Sequence, residues 1–183
     1  VRVPVSNRIG DENQGWSYVK HTLGVERMTL AKVGSSKGKV RLAKQLASSV
    51  NDGGVSLSQS RGFQEKLAAI EVDLKALEIT NLRMVDQSMK HSRGQHDPKM
   101  SILKLRGSEI QQAVYETLME VAGPLGMPRQ VEYYEGLEGE GDTIGPDWAA
   151  TIPPNFYHSR CATIVGGSNE IQHNILAKAV LGL

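Results

Sequence analysis

The chain has 183 residues, of which 39% are hydrophobic and 22% are charged, and its 21 basic and 20 acidic residues almost cancel. This length and composition suit one globular domain with a substantial core. The balanced charge gives no reason to expect nucleic acid or a membrane as a partner, and no apolar run approaches the roughly 20 residues that span a bilayer. The single cysteine, Cys161, rules out an internal disulfide and agrees with a cytoplasmic location, and no histidine or cysteine cluster has the spacing of metal ligands.

Helical periodicity dominates the first half of the chain. Only Val1 to Val5 reads as a strand. A first helix is predicted from Trp16 towards Val50, with Gly34 and Gly38 as weak points, and its apolar stripe consists of Trp16, Val19, Leu23, Leu30 and Val33. A second helix has the clearest pattern, with apolar residues at steps of four and three: Phe63, Leu67, Ile70, Leu74, Leu77 and Met84.

The second half continues this pattern around one long loop. A third helix is predicted to begin near Pro98 and to end at Gly123-Pro124. Met127 to Pro154 lacks helical periodicity and is predicted to be a loop, followed by a helical turn over Asn155 to Ile164 and a last helix after Gly166-Gly167. Long helices with short turns predict an all-α fold, an antiparallel up-and-down four-helix bundle.

Two local features point to chemistry. Gly166 and Gly167 permit a turn that can hold a phosphate, and Asn169 with Gln172 three positions later reads as a capping box that opens a helix, although simple capping explains the same residues. On the first helix, Glu26 has the helical phase of the apolar stripe. A buried carboxylate beside a cation such as Arg27 is suited to proton abstraction, but periodicity alone favours an ordinary salt bridge or a carboxylate at the edge of the stripe.

The two ends of the chain carry a family resemblance. Thr163 to Leu183, TIVGGSNEIQHNILAKAVLGL, resembles the C-terminal signature of the acyl-CoA dehydrogenases, flavoenzymes whose last helix begins at a Gly-Ser/Thr turn beside FAD. Val1 to Gly15, VRVPVSNRIGDENQG, resembles the family's strand that leaves the middle β-domain and enters the C-terminal domain. The resemblance implies that residues 1–15 are a remnant strand and linker, that residues 16–183 are the C-terminal four-helix-bundle domain, and that two further domains precede this chain.

The resemblance also implies a catalytic residue. Family members place the catalytic glutamate either just before the Gly-Ser/Thr turn, which matches Gly166, or on the first helix before an arginine, which matches Glu26 in Gly24-Val25-Glu26-Arg27 and is similar to the isovaleryl-CoA and long-chain members. Glycine cannot accept a proton, so Glu26 is expected to remove the α-proton of an acyl-CoA thioester while the β-hydrogen leaves as hydride to N5 of FAD. The product would be a 2,3-enoyl-CoA.

The same matching assigns binding residues and partners. It implies substrate contacts for Gly24, Arg27 and Gly167, although Arg27 also suits a surface ion pair and Gly167 a plain turn. It implies FAD contacts for residues at two places: Gly123, Ser168, Asn169 and Glu170. An acyl-CoA substrate, electron-transfer flavoprotein or a similar acceptor, and a homo- or hetero-oligomer, dimer or tetramer, are the implied partners. The isolated domain is expected to be inactive.

The match weakens in two regions. Many members have an Arg-x-x-Phe-Gly segment that reaches the FAD of a neighbouring subunit, but this chain has NDGGVSLSQSRGFQEKL at that place. Arg61 is the candidate substitute for the arginine. The loop from Gln130 to Pro154 is long and acidic, and resembles a divergent bacterial branch with bulky or dicarboxylate-derived substrates. Two other classes fit the sequence: a non-catalytic partner subunit of a hetero-oligomeric dehydrogenase, and a flavin-free helical interaction domain. Glu26 argues against the former and the double glycine against the latter.

Overall fold

Long helices form almost the whole structure, a computed structural model that describes residues 1–90, 97–130 and 143–183. The helices are α1 (Gly15–Leu30), α2 (Val33–Ser49), α3 (Arg61–Lys90), α4 (Met100–Ala122), α5 (Asp147–Ser159) and α6 (Asn169–Leu176), the last continuing as a π-helical turn, Ala177–Leu181. A small antiparallel hairpin pairs β1 (Asn51–Asp52) with β2 (Val55–Ser56). Short 3₁₀ turns cover Val5–Asn7, Leu57–Gln59, Gly123–Gly126 and Arg160–Thr163.

Helix α4 is the centre of the bundle. It contacts each of the other five helices, and it buries residues around most of its circumference. Helix α3 lies along it with one buried stripe, the six apolar residues that the sequence predicted, Phe63, Leu67, Ile70, Leu74, Leu77 and Met84. The predicted all-α bundle is therefore confirmed. None of the described helices is both long and apolar enough to cross a lipid bilayer.

The predicted first helix is two helices. The break lies at Ala31 and Lys32, where Lys32 has a φ of 49°, and not at Gly34 or Gly38. Its cause is tertiary. Ala31 is fully buried against α4, where a Cβ added to Gly107 would lie 2.7 Å from the Ala31 Cα. The Gln111 amide donates to the carbonyl of Leu30 at 3.3 Å, so α4 also satisfies an acceptor that the break leaves free.

The predicted loop from Met127 to Pro154 was too long. Asp147–Ser159 is a helix that contains Pro153 and Pro154, because burial of Ala149, Ala150 and Ile152 outweighs the two missing donors. Before it, the Gln130 side chain accepts from the N–H of Ile144 at 2.9 Å. Residues 131–142, including Glu132, Glu135 and Glu138, lie outside the described part of the chain.

The ends of the chain depart from the sequence-based expectation. Residues 1–4 have no regular secondary structure and Val5–Asn7 is a 3₁₀ turn, so the strand predicted at Val1 to Val5 is wrong within this chain. A strand needs a neighbour for its hydrogen bonds, and in the described parts of the chain no strand pairs with these residues. In α6 the buried residue is Gln172, whereas the apolar Ile171 is half exposed.

Candidate functional site

The double-glycine turn, Val165 to Ser168, has no room for side chains at its two glycines. Gly166 and Gly167 have φ values of 71° and 91°, which favour glycine. A Cβ on Gly166 would overlap the Leu30 Cδ1, and one on Gly167 would lie 2.7 Å from the Gln172 Nε2. The turn therefore packs directly on α1 through Leu30 and on α6 through Gln172, and the backbone at position 166 disfavours a residue with a side chain.

Side chains hold this turn in a way that the predicted capping box missed. Gln172, 1% exposed, donates from Nε2 to the carbonyls of Gly166 and Gly167 at 3.4 and 3.3 Å. The Asn169 Oδ1 faces inward and accepts from the Lys104 Nζ at 2.6 Å. The capping-box prediction is wrong because a buried ammonium needs acceptors, and the Asn169 oxygen is one that it can reach.

The first turn of α6 is open to an anion or a hydroxyl group. Ser168 is the N-cap residue, but its side chain makes no capping hydrogen bond, so first-turn N–H groups other than that of Glu170, which donates to its own carboxylate, remain for a ligand. The Glu170 carboxylate is exposed. A hydrogen bond from the Ser168 hydroxyl, with one from its own N–H, lowers its pKa. An ionised carboxylate only accepts hydrogen bonds, so Glu170 suits a cofactor's hydroxyl group, whereas the backbone N–H groups suit its phosphates.

Glu26 lies on the face of α1 that meets the turn. Leu30, four residues later and therefore on the same face, is the residue that contacts Gly166. Glu26 is half-buried rather than enclosed, because Val19 on the predicted stripe is 45% exposed and none of the described residues covers this end of α1. Arg27 is half-buried, and its Nε is buried without a hydrogen-bond partner among the described residues. Burial lowers the pKa of Arg27.

The remaining predicted residues are not gathered at this turn. Gly24 lies within α1, two residues before Glu26. Gly123 ends α4 and is exposed; fifteen residues separate it from Ser108, which contacts Asn169, so it lies roughly 22 Å along the helix from the turn. Arg61, exposed at the start of α3, belongs to the same end of the bundle as Gly123, since Lys66 of α3 and Glu120 of α4 form an ion pair at 2.7 Å.

A cavity of about 180 Å³ lies behind Leu30, between α1, α4 and α5. Its lining includes Lys104, Gln111, Tyr115 and His158. Cys161 is half-buried at this cavity, with its Sγ 4.0 Å from the His158 Nε2. Sequence reasoning missed Lys104, although a lysine among Leu103, Leu105 and Ile110 was as visible a signal as Glu26 on its own apolar stripe.

Comparisons with known proteins give the family. The chain belongs to the acyl-CoA dehydrogenases: the model of the acyl-CoA dehydrogenase C-terminal domain matches residues 13–181. Acyl-CoA dehydrogenase FadE26 of Mycobacterium tuberculosis is 32% identical over the whole chain, which covers 44% of that relative. The chain thus spans less than half the length of this curated relative.

Solved structures agree on the fold. The ChsE4-ChsE5 complex of Mycobacterium tuberculosis matches with a TM-score of 0.73 and 28% identity, over 99% of this chain and 44% of the matched chain. A variant of the Tcur3481-Tcur3483 steroid ACAD matches with a TM-score of 0.72 and 26% identity, over 100% of this chain and 44% of that one. Butyryl-CoA dehydrogenase from Megasphaera elsdenii shares the fold at 18% identity, with a TM-score of 0.73.

Proposed function

We propose that this chain is the C-terminal domain of an FAD-dependent acyl-CoA dehydrogenase whose catalytic base is Glu26. The contact between Leu30 and Gly166 carries the proposal. The left-handed backbone at position 166, where other family members are expected to hold their glutamate, disfavours a side chain there, and Leu30, on the same face of α1 as Glu26, contacts the turn. The base is then supplied from α1, one helical turn from Leu30.

Each residue of the candidate site has a separate role in the proposed reaction. The Glu26 carboxylate accepts the α-proton of the acyl-CoA thioester, and Gly167, without a side chain, lets the thioester approach the turn. Arg27 and Gly24 contact the substrate on α1. FAD, when bound, supplies the acceptor for the β-hydride. N–H groups after Ser168 would hold its phosphates and the Glu170 carboxylate would accept from one of its hydroxyl groups, while Asn169 keeps the first turn of α6 in place.

Assembly with other subunits is part of the proposal. Gly123 and Arg61 lie at the opposite end of α4 from the turn, and this separation favours FAD contacts that are shared between two subunits. This placement supports a dimer or tetramer. In the assembled enzyme, which we propose to be cytoplasmic, electron-transfer flavoprotein or a similar acceptor would reoxidise the reduced flavin. The ChsE4-ChsE5 neighbour is a complex of two proteins, which favours a hetero-oligomer as the second candidate. The neighbour named as a steroid ACAD supports a bulky acyl group in the substrate.

Glu26→Gln in the full-length protein tests the proposal. The substitution keeps the size of the side chain but removes the base, so acyl-CoA should still bind while flavin reduction in rapid mixing slows roughly a hundredfold or more. Glu71→Gln is the matched control, because Glu71 is an exposed carboxylate on α3 that pairs with Lys44. Flavin reduction as fast in Glu26→Gln as in the control would show that the base lies elsewhere.

A further inference from the structure

A single buried ammonium ties together the two sides of the double-glycine turn. Lys104 of α4 is only 1% exposed. Its Nζ donates to the carbonyl of Thr163 at 2.9 Å and to the Oδ1 of Asn169 at 2.6 Å. Thr163 precedes the turn and Asn169 follows it, so one side chain fixes the distance between the segment that enters the turn and the helix that leaves it.

Ser108, one helical turn further along α4, completes this arrangement. Its hydroxyl lies 3.2 Å from both the Oδ1 and the Nδ2 of Asn169, and it also donates to the carbonyl of Leu105 at 2.9 Å. The Asn169 amide is therefore held at both of its polar atoms. We call Lys104, Ser108 and Asn169 the Lys104 cluster.

The buried positive charge of Lys104 contributes little to the stability of the fold by itself. The two hydrogen-bond acceptors of Lys104 are neutral, and burial lowers its pKa, while the exposed carboxylate of Glu170 acts in the opposite direction. A cation beside a helix N-terminus also opposes the helix dipole. Removing the partners of a buried charged group destabilises a protein, but replacing the charged group with a well-packed apolar residue of similar size often leaves the stability equal or raises it. This arrangement instead favours an anion at the turn.

We propose that Lys104 is a positioning residue, which through Thr163 and Asn169 holds the double-glycine turn in the shape that receives cofactor and thioester. This inference rests on the proposed function, since it assigns the turn to FAD. It adds a residue that does not touch the reacting atoms. Preorganised backbone donors lose much of their effect when they are displaced by even about 1 Å, so the cluster is expected to matter for binding more than for folding.

The test compares Lys104→Met with Leu118→Ala in the full-length protein. Leu118 is a buried core residue of the same helix, ten or more residues from the cluster, and its truncation destabilises without touching the turn. Lys104→Met should raise the FAD dissociation constant roughly tenfold to a hundredfold and change the flavin absorbance band, whereas Leu118→Ala should leave both unchanged. Asn169→Leu should match Lys104→Met, and the double variant should be little worse than either, because the two residues act as one unit.

Hydrogen exchange of the amides of residues 164–170, measured without FAD, tests the positioning role of Lys104 separately from the proposed FAD-dependent function. Faster exchange there in Lys104→Met than in Leu118→Ala supports the positioning role even if the parent protein binds no FAD, a result that would overturn the proposed function alone. Equal exchange and equal FAD affinity in the two variants would overturn the positioning role while leaving the function intact. Ser108→Ala, a milder change, should shift both measurements in the same direction if Lys104→Met does not fold.

Discussion

Gly107 sets how closely α4 approaches the break between α1 and α2. A Cβ at this position would lie 2.7 Å from the Cα and 2.9 Å from the carbonyl oxygen of Ala31, so backbone rather than a flexible side chain would have to move. Gly107→Ala should lower the free energy of unfolding by about 1–3 kcal/mol in urea titrations. Gly38→Ala is the control: it lies in α2 with open space around its Cβ and should stabilise by about 0.5–1 kcal/mol. Stabilisation by both substitutions would contradict the close contact.

Lys104 makes stability depend on pH at the alkaline end. Burial lowers the pKa of Lys104 in the folded chain, opposed by attraction to Glu170. Between the folded and the unfolded pKa the unfolded chain binds more protons, so this group's contribution to the free energy of unfolding rises with pH. The free-energy cost of burying the charged ammonium is fully present below the pKa of Lys104 in the folded chain, and it is lost above the pKa of Lys104 in the unfolded chain. The stability of the parent minus that of Lys104→Met should therefore increase from neutral to alkaline pH, and a difference that is flat with pH would refute the assignment.

The break between α1 and α2 places a residue with a side chain in a strained backbone conformation. Lys32 adopts a left-handed conformation, with a φ of 49°, that is strained for a residue with a Cβ. Lys32→Gly should raise the free energy of unfolding by about 0.5–1 kcal/mol, because relief of strain exceeds the greater entropy of the unfolded glycine. Lys20→Gly, in the interior of α1, should instead cost about 1 kcal/mol. Chemical denaturation distinguishes the two, and destabilisation by both would show that Lys32 is not strained.

Elements that bury a stripe within the chain were predictable, and those that depend on distant contacts were not. Every apolar residue of the α3 stripe is buried because its neighbours α2 and α4 are present. The end of α1 at Leu30 depends on Gly107 and Gln111, about eighty positions away, and α5 forms despite its two prolines because α4 covers its alanines. No local pattern contains that information.

In the candidate site, too, some features follow from local sequence and others depend on contacts between distant residues. The turn at Gly166-Gly167 and the helical phase of Glu26 follow from local sequence; the structure confirms the turn, whereas the role of Glu26 stays a prediction. Lys104 and Ser108 are brought to Asn169 across 65 and 61 positions of sequence, so only the packing of α4 on α6 reveals them.

At the scale of the whole molecule, the chain leaves apolar surface uncovered. Trp16 on α1 is 70% exposed, Ile171 on α6 52%, and Leu181 beyond it 68%. Exposed apolar surface of this kind marks contacts with other domains or subunits. The 183-residue chain should therefore associate with itself at micromolar concentration. Trp16→Glu should weaken that association in sedimentation velocity, whereas Ser17→Glu, which adds the same charge without removing apolar surface, should not. A monodisperse monomer of the parent chain would contradict this expectation.

The contact between Leu30 and Gly166 also restricts the evolutionary routes open to this chain. An acid introduced at position 166 would meet the Leu30 methyl group and a backbone conformation that side chains rarely adopt. Gly166→Glu alone should therefore be deleterious, while the same change after Leu30→Ala should be less so. The effect of one substitution depends on the other, and their order matters. For a lineage that carries its base on the first helix, a smaller residue 30 would ease the contact at position 166, but the backbone conformation there would still oppose a move of the base to the turn.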